Sequence, residues 1–260
     1  MQNTSIATIN DLPLPEKREI YHRLIPPEML EKFNLNPFLV DTDGNDLLVL
    51  DAEKDSSDTE ISVYHQKNFK DPVLYGHMTD TINGQIHILL YIMNDPHSPR
   101  FDVDRMPDGS STGFGILQRN LMAETDALNA GLLPGQVRQG MHLLSKAIDS
   151  FEKFVQSLGH SHYFAEPLYY HNAIIFERYG FKYQSGKRLM EEINLGFGPK
   201  GNLSAQLDGS IFRAKNSPES IRLRSWAIHD GILGKACSNV TMYKAIKDPA
   251  GLNTAPGISW

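Results

Sequence analysis

Residues 135–183 read GQVRQGMHLLSKAIDSFEKFVQSLGHSHYFAEPLYYHNAIIFERYGFKY, and this stretch decides the fold. Met141, Leu144, Ile148, Phe151, Val155 and Leu158 recur at three- and four-residue steps, which predicts an amphipathic helix closed by Gly159. His160 to Leu168 predicts a strand that stops at Pro167. Tyr169 to Tyr179 predicts a second helix closed by Gly180, and FKYQ predicts another short strand. Strands and helices alternating in this way predict a layered α/β domain with a mixed sheet.

Working outward, Val73–Thr79 and Gln85–Met93 flank Asn83–Gly84, a pair suited to a tight turn, and predict a hairpin. In the second run Ile86, Ile88, Leu90 and Ile92 alternate with Leu89, Tyr91 and Met93. Apolar residues on both faces place such a strand in the middle of a covered sheet. Residues 41–60 are acidic and turn-rich around one expected strand, Leu47 to Leu50. Residues 1–35 read as a helical lead-in, with prolines where a first helical turn accepts them. Residues 94–112 form a long polar loop, and 114–130 are expected to be helical. Beyond 185 a helix to 194, a Gly-rich passage to Gly209, a helix over 218–232 and a last strand in NVTMYKAI are expected. The expected organisation is a core over 36–184 with an insertion at 94–134, preceded by the lead-in and followed by a C-terminal extension at 185–260.

Composition narrows the function. The 260 residues carry 25 basic and 31 acidic side chains, a net charge of −6, with no basic block, which argues against nucleic-acid or membrane-surface partners. The lone Cys237 excludes an intramolecular disulfide and a thiolate metal knuckle. The start, MQNTSIATINDLPLPEKRE, lacks the basic, apolar pattern of a secretory leader, and Ile86–Met93 is too short to span a bilayer. A cytoplasmic protein acting on a small molecule is the expectation; oligomeric state is not legible.

The order helix–Gly–strand–helix ending in FERYGF resembles the central half of the GNAT acyltransferase superfamily, over about residues 135–183. The resemblance implies a GNAT-like acyl-CoA N-acyltransferase fold, in which a strand leads into a phosphate-cradling turn before the long helix. Acyl-CoA would be the co-substrate. The turn pattern, Gln/Arg-x-x-Gly-x-Gly/Ala, is degraded here and keeps one required glycine in either frame: with Gly140 last, Gly135 and Arg138 stand at the Gln/Arg and inner-glycine positions, and with Gly140 inner, Val137 stands first and His142 last. By this resemblance Arg138, Gln139, Gly140 and His142 would meet the coenzyme. The position of the family's proton-donating tyrosine is Phe176, so Tyr170 is the remaining acid nearby. If Gln85–Met93 is the strand before the turn, roughly forty residues have been inserted after it.

The densest polar cluster is His160, His162 and Glu166, followed by Tyr170, His171 and Asn172. On a strand His160, His162 and Glu166 share a face, and Glu166 falls at the strand's C-terminal end, where α/β folds assemble sites. Glu166 or His171 would take a proton from an acceptor amine. An alternative keeps the scaffold without coenzyme A: His162, Glu166, His171 and His229 would hold a divalent metal or another small ligand. A third reading is a non-catalytic sensor served by the loop carrying Arg100, Asp102, Asp104, Arg105 and Asp108. Arg222, Ser225, His229 and Asp230 are a further candidate set on a helix.

Overall fold

The computed structural model describes residues 5–115, 117–235, 237, 239–249 and 251–260. The lead-in holds α1 (Ile6–Asn10), α2 (Leu14–His22) and α3 (Pro27–Lys32), and then come β1 (Leu48–Asp51), β2 (Asp58–Val63), β3 (Leu74–Asp80) and β4 (Ile86–Met93). After α4 (Leu121–Asn129) the chain runs through α5 (Leu144–Ser157), β5 (His162–Ala165), α6 (Tyr170–Arg178) and β6 (Lys182–Ser185). It ends with α7 (Lys187–Gly196), α8 (Ile221–His229) and β7 (Thr241–Ala245). The strands form a seven-stranded mixed sheet in the order β1-β2-β3-β4-β5-β7-β6. β1 to β4 are antiparallel neighbours, and β4 and β5 run parallel.

Two elements differ from expectation. β2 begins at the end of the acidic stretch and runs past it: Thr59, Ile61 and Val63 are buried while Asp58, Glu60 and Ser62 face outward, so a half-buried strand starts among charges. The helix expected from 114 begins at Leu121, because Phe114 and its flanking glycines, Gly113 and Gly115, take left-handed backbone. The Asn120 side chain then caps the helix by accepting from the Ala123 amide.

The chain divides into two compact units. The first comprises residues 1–97, 140–166 and 243–248. Its core is one face of the sheet: Ile61, Val63, Leu74, Met78, Ile86, Tyr163 and Ala165 are all buried. α5 covers this face by its expected apolar stripe, with Phe151 5.0 Å from the Tyr163 ring and Phe154 6.2 Å from Tyr21 of α2. The Tyr21 hydroxyl donates to Asn10 Oδ1 at 2.7 Å, and Thr59 donates to the same oxygen at 3.0 Å, so the buried polar groups are paired.

The second unit comprises residues 98–139, 167–242 and 249–260. Its core joins Val103, Ala127, Leu132, Val137 and Phe212 around Trp226, whose indole donates to the Leu132 carbonyl at 2.9 Å. Backbone packing at the end of α7 is tight. A β-carbon at Gly201 would lie 2.0 Å from the Gly196 carbonyl oxygen. Gly201→Ala is therefore expected to destabilise this unit by roughly 1–3 kcal/mol, as overpacking against backbone does. Chemical denaturation followed by tryptophan emission measures it, and a midpoint equal to wild type would contradict the reading.

Candidate active site

The centre of the first unit is where β4 and β5 part. Their parallel pairing covers His87–Phe164 and Ile88–Ala165, and the Glu166 amide adds a last bond to the Ile88 carbonyl at 3.2 Å. Beyond Ile88 the next residue, Leu89, is a bulge: His77 pairs with Leu90 while Met78 pairs with Ile88. An extra residue bends its strand, and here the bend coincides with the end of pairing to β5. From Leu89 to Met93, β4 keeps β3 on one side and has no paired strand on the other among the described residues. Central apolar strands are expected to be covered, yet His87 through Met93 are only half-buried and Ile86 alone is fully buried. The sheet is opened at its middle.

Gly140 brings the expected turn to this opening. A β-carbon on it would be 3.7 Å from the Met93 carbonyl oxygen, so the chain leaves β4 at Met93 and returns beside it at Gly140. His142 follows with φ +58°, the left-handed conformation that a glycine adopts most readily. α5 then starts without a side-chain cap and without an acid in its first turn. The first amides of a long helix are thus left to whatever approaches them.

His87 and Glu166 frame the mouth of the opening. Glu166 stands just past β5, as the sequence predicts, with its side chain 54% exposed. His87 Nε2 lies 3.6 Å from Glu166 Oε1, and its side chain is 17% exposed. Burial lowers the His87 pKa from its ordinary value, with the Glu166 charge opposing that shift. Phe164 lies beside His87, and Tyr243 of β7 beside Phe164, with ring centroids 6.2 and 6.4 Å apart. Reading the sequence missed His87. A histidine interrupting IHILLYIM was its visible trace, but its partner depends on the β4–β5 register, which the sequence does not print.

The other expected site residues are placed elsewhere or engaged otherwise. His162 shares the face of Glu166, but its Nε2 meets Gln85 Nε2 at 2.6 Å. Arg138 donates to the Ser98 carbonyl, and the Gln139 amide donates to Ser98 Oγ at 3.1 Å, so the second unit's own loop uses both. Tyr170 is buried in the second unit; burial raises its pKa, and the neighbouring Arg224 opposes the shift. Phe176 stacks on Phe181 at 4.8 Å. His171 is a core residue of the second unit, 2.8 Å from Ser225 Oγ, and burial with the nearby His229 pushes it down to about 3. His229 bonds Glu124 at 3.0 Å.

The four histidine and carboxylate residues of the metal reading thus have separate partners. Among the described residues no group of three or more His, Cys, Asp or Glu side chains is placed to hold a metal ion. The loop of the sensor reading is tied up internally: Arg100 pairs with Asp102 and Asp104, and Asp108 accepts from Ser110. Arg222 donates to the Leu128 carbonyl and Asp230 pairs with Arg119 and Arg213, a structural arrangement. Among the described residues no helix is long and apolar enough to cross a membrane. No family profile, curated protein or solved structure matches this chain.

Proposed function

We propose that the chain transfers an acyl group from an acyl-CoA thioester to a small-molecule amine on a GNAT-like scaffold. The observation that carries this reading is the return of the chain to β4 at Gly140. With residues 94–139 set aside, strand, turn and long helix follow one another in space in the order that the resemblance implies. The strand, the second helix and the Gly180–Phe181 closure then follow as in that family.

The opening suits such a substrate physically. The pantetheine arm of coenzyme A is linear and carries two amides, and the edge of Leu89–Met93, unpaired on this side among the described residues, would present backbone donors and acceptors to such a chain, as a sheet edge does to an added strand. The uncapped start of α5 and the turn at Gly140–His142 would hold the pyrophosphate. Lys146, in the first turn of α5, pairs with Glu28 at 3.1 Å in an exposed contact that is readily exchanged for a phosphate. Arg138 and Gln139 are left out of this assignment because Ser98 occupies them.

The bound thioester supplies an acyl carbon activated for attack and a sulfur leaving group. The protein's task is to present the amine without its extra proton, and the exposed Glu166 carboxylate at the mouth would draw that amine in as its ammonium form. An enzymic acid for the sulfur is not required, because a thiol with a pKa of about 8.5 leaves as its anion. Phe176 at the family's tyrosine position is compatible with that.

Binding tests the proposal directly. Acetyl-CoA at about 100 times its Kd would stabilise the fold by about 2.7 kcal/mol. A rise in Tm of several degrees, matched by calorimetric titration, is the expected result. No shift at millimolar acetyl-CoA would remove the reading.

A further inference from the structure

His87 and Glu166 face each other across the last paired rung of β4 and β5, their polar atoms 3.6 Å apart. That separation is too long for a hydrogen bond, and among the described residues His87 Nε2 is buried with no hydrogen-bond partner. Buried polar atoms are ordinarily satisfied, so an orphan at the edge of an opening points to a partner that arrives with a ligand. Thr79 lies opposite His87 on β3, Phe164 beside it on β5, and His162 one rung back is held by Gln85. Glu166 supplies the charge whose field acts on His87.

We propose that the acceptor amine is received between these two side chains, Glu166 holding its ammonium form and His87 taking the proton at Nε2. The proposal rests on the acyl-transfer reading and assigns within it the side chain that takes the proton and the one that holds the cation. The division of labour follows from exposure. Glu166 reaches solvent and carries the attracting charge, whereas His87 is recessed, neutral at neutral pH and has a ring nitrogen free to accept. An imidazole is also the better-matched base near neutral pH than an ordinary carboxylate.

The accounting is complete without another reactant. The nitrogen loses one proton to His87, forms its bond to the acyl carbon as the carbon–sulfur bond breaks, and the sulfur keeps the electron pair of that bond. The second nitrogen proton ends on sulfur, and the proton on His87 leaves to solvent past Glu166.

Butylamine serves as the probe, with 1-butanol as its uncharged control. In the full chain with ¹⁵N-labelled histidine, butylamine is expected to move the His87 ring signal, butanol is not, and Glu166→Gln weakens the response at least tenfold. With acetyl-CoA present, His87→Gln is expected to lower kcat about 10²-fold or more, to remove the histidine's acidic limb from the pH profile, and to leave acetyl-CoA binding unchanged. Added imidazole restores part of the rate in His87→Ala, which a merely structural role would not allow.

A His87 signal that stays still at saturating butylamine overturns the proposal whatever acetyl-CoA does, and so does an unchanged kcat in His87→Gln. Failure of acetyl-CoA to bind while the His87 signal still responds to butylamine overturns the acyl-transfer reading alone. If the His87 variants do not fold, the labelled wild-type chain and Glu166→Gln still decide the matter.

Discussion

Glu124→Ala is expected to destabilise the second unit by about 3–5 kcal/mol, the usual consequence of removing one partner from a buried ionic network. Glu124 is 2% exposed and accepts from Arg119 Nε at 2.8 Å, from Arg119 Nη2 at 2.5 Å and from His229 Nε2 at 3.0 Å. Burial alone would raise its pKa, but the bonds from His229 and Arg119 outweigh that and hold the carboxyl below its ordinary value. Arg119 also reaches Asp230 at 2.7 Å, and Arg213 binds the other Asp230 oxygen at 2.7 Å. Truncation at 124 therefore leaves the Arg119 guanidinium half-satisfied and the His229 imidazole without its carboxylate. Glu124→Gln keeps the shape and one acceptor, so it should lose clearly less. Both tryptophans, Trp226 and Trp260, lie in this unit, so their emission during urea unfolding reports it selectively. A loss below about 1 kcal/mol in the alanine variant would show that the network carries little net stability.

The elements that were legible in the sequence are those whose signal is local. α5 is spelled by a stripe at three- and four-residue steps, and Gly159 and Gly180, at φ +86° and +89°, end α5 and α6 where the sequence places them. β2 was not legible because its outward residues are charged, so a true alternation looked like an acidic loop. The candidate site was half legible. Glu166 follows from strand period and position, since both can be counted along the chain. His87 does not, because its significance comes from a parallel register between strands more than seventy residues apart and from a bulge at Leu89 that no composition announces.

Arg138 shows the opposite error. A basic residue beside a glycine turn invites a phosphate role, but the inserted loop at Ser98 takes its donors. Sequence proximity also misled at His171. Five residues after Glu166, it belongs to the other compact unit and bonds Ser225, which lies far along the chain. The physical lesson is that the 94–139 excursion reassigns residues near its ends, because those residues must satisfy the excursion's own backbone before any ligand.

His171 should make the second unit acid-sensitive well above the range in which carboxylates titrate. Its ring is 3% exposed, bound to Ser225 Oγ at 2.8 Å, stacked on Tyr169 at 5.5 Å, and close enough to His229 to feel its charge. Desolvation, with His229 second, lowers its folded-state pKa to about 3, against 6.5 for the free side chain. The unfolded chain therefore binds a proton near pH 6.5 that the folded unit refuses. Stability linked to this group is fully present above pH 6.5 and is lost progressively as the pH falls from there toward 3, by up to about 5 kcal/mol at the limit. The loss begins earlier than any contribution from Glu124, whose depressed pKa acts only below the ordinary carboxylate range. His171→Gln retains a partner for Ser225 but cannot take the proton. At pH 7.5 the variant should be less stable than wild type by the disturbed packing alone, and the difference should shrink or reverse by pH 4.5. Unfolding free energies at the two pH values, read by tryptophan emission, give the comparison. Parallel pH slopes for the two proteins between 6.5 and 4.5 would mean that His171 opens to water before it resists protonation, and would remove it as the source of acid sensitivity.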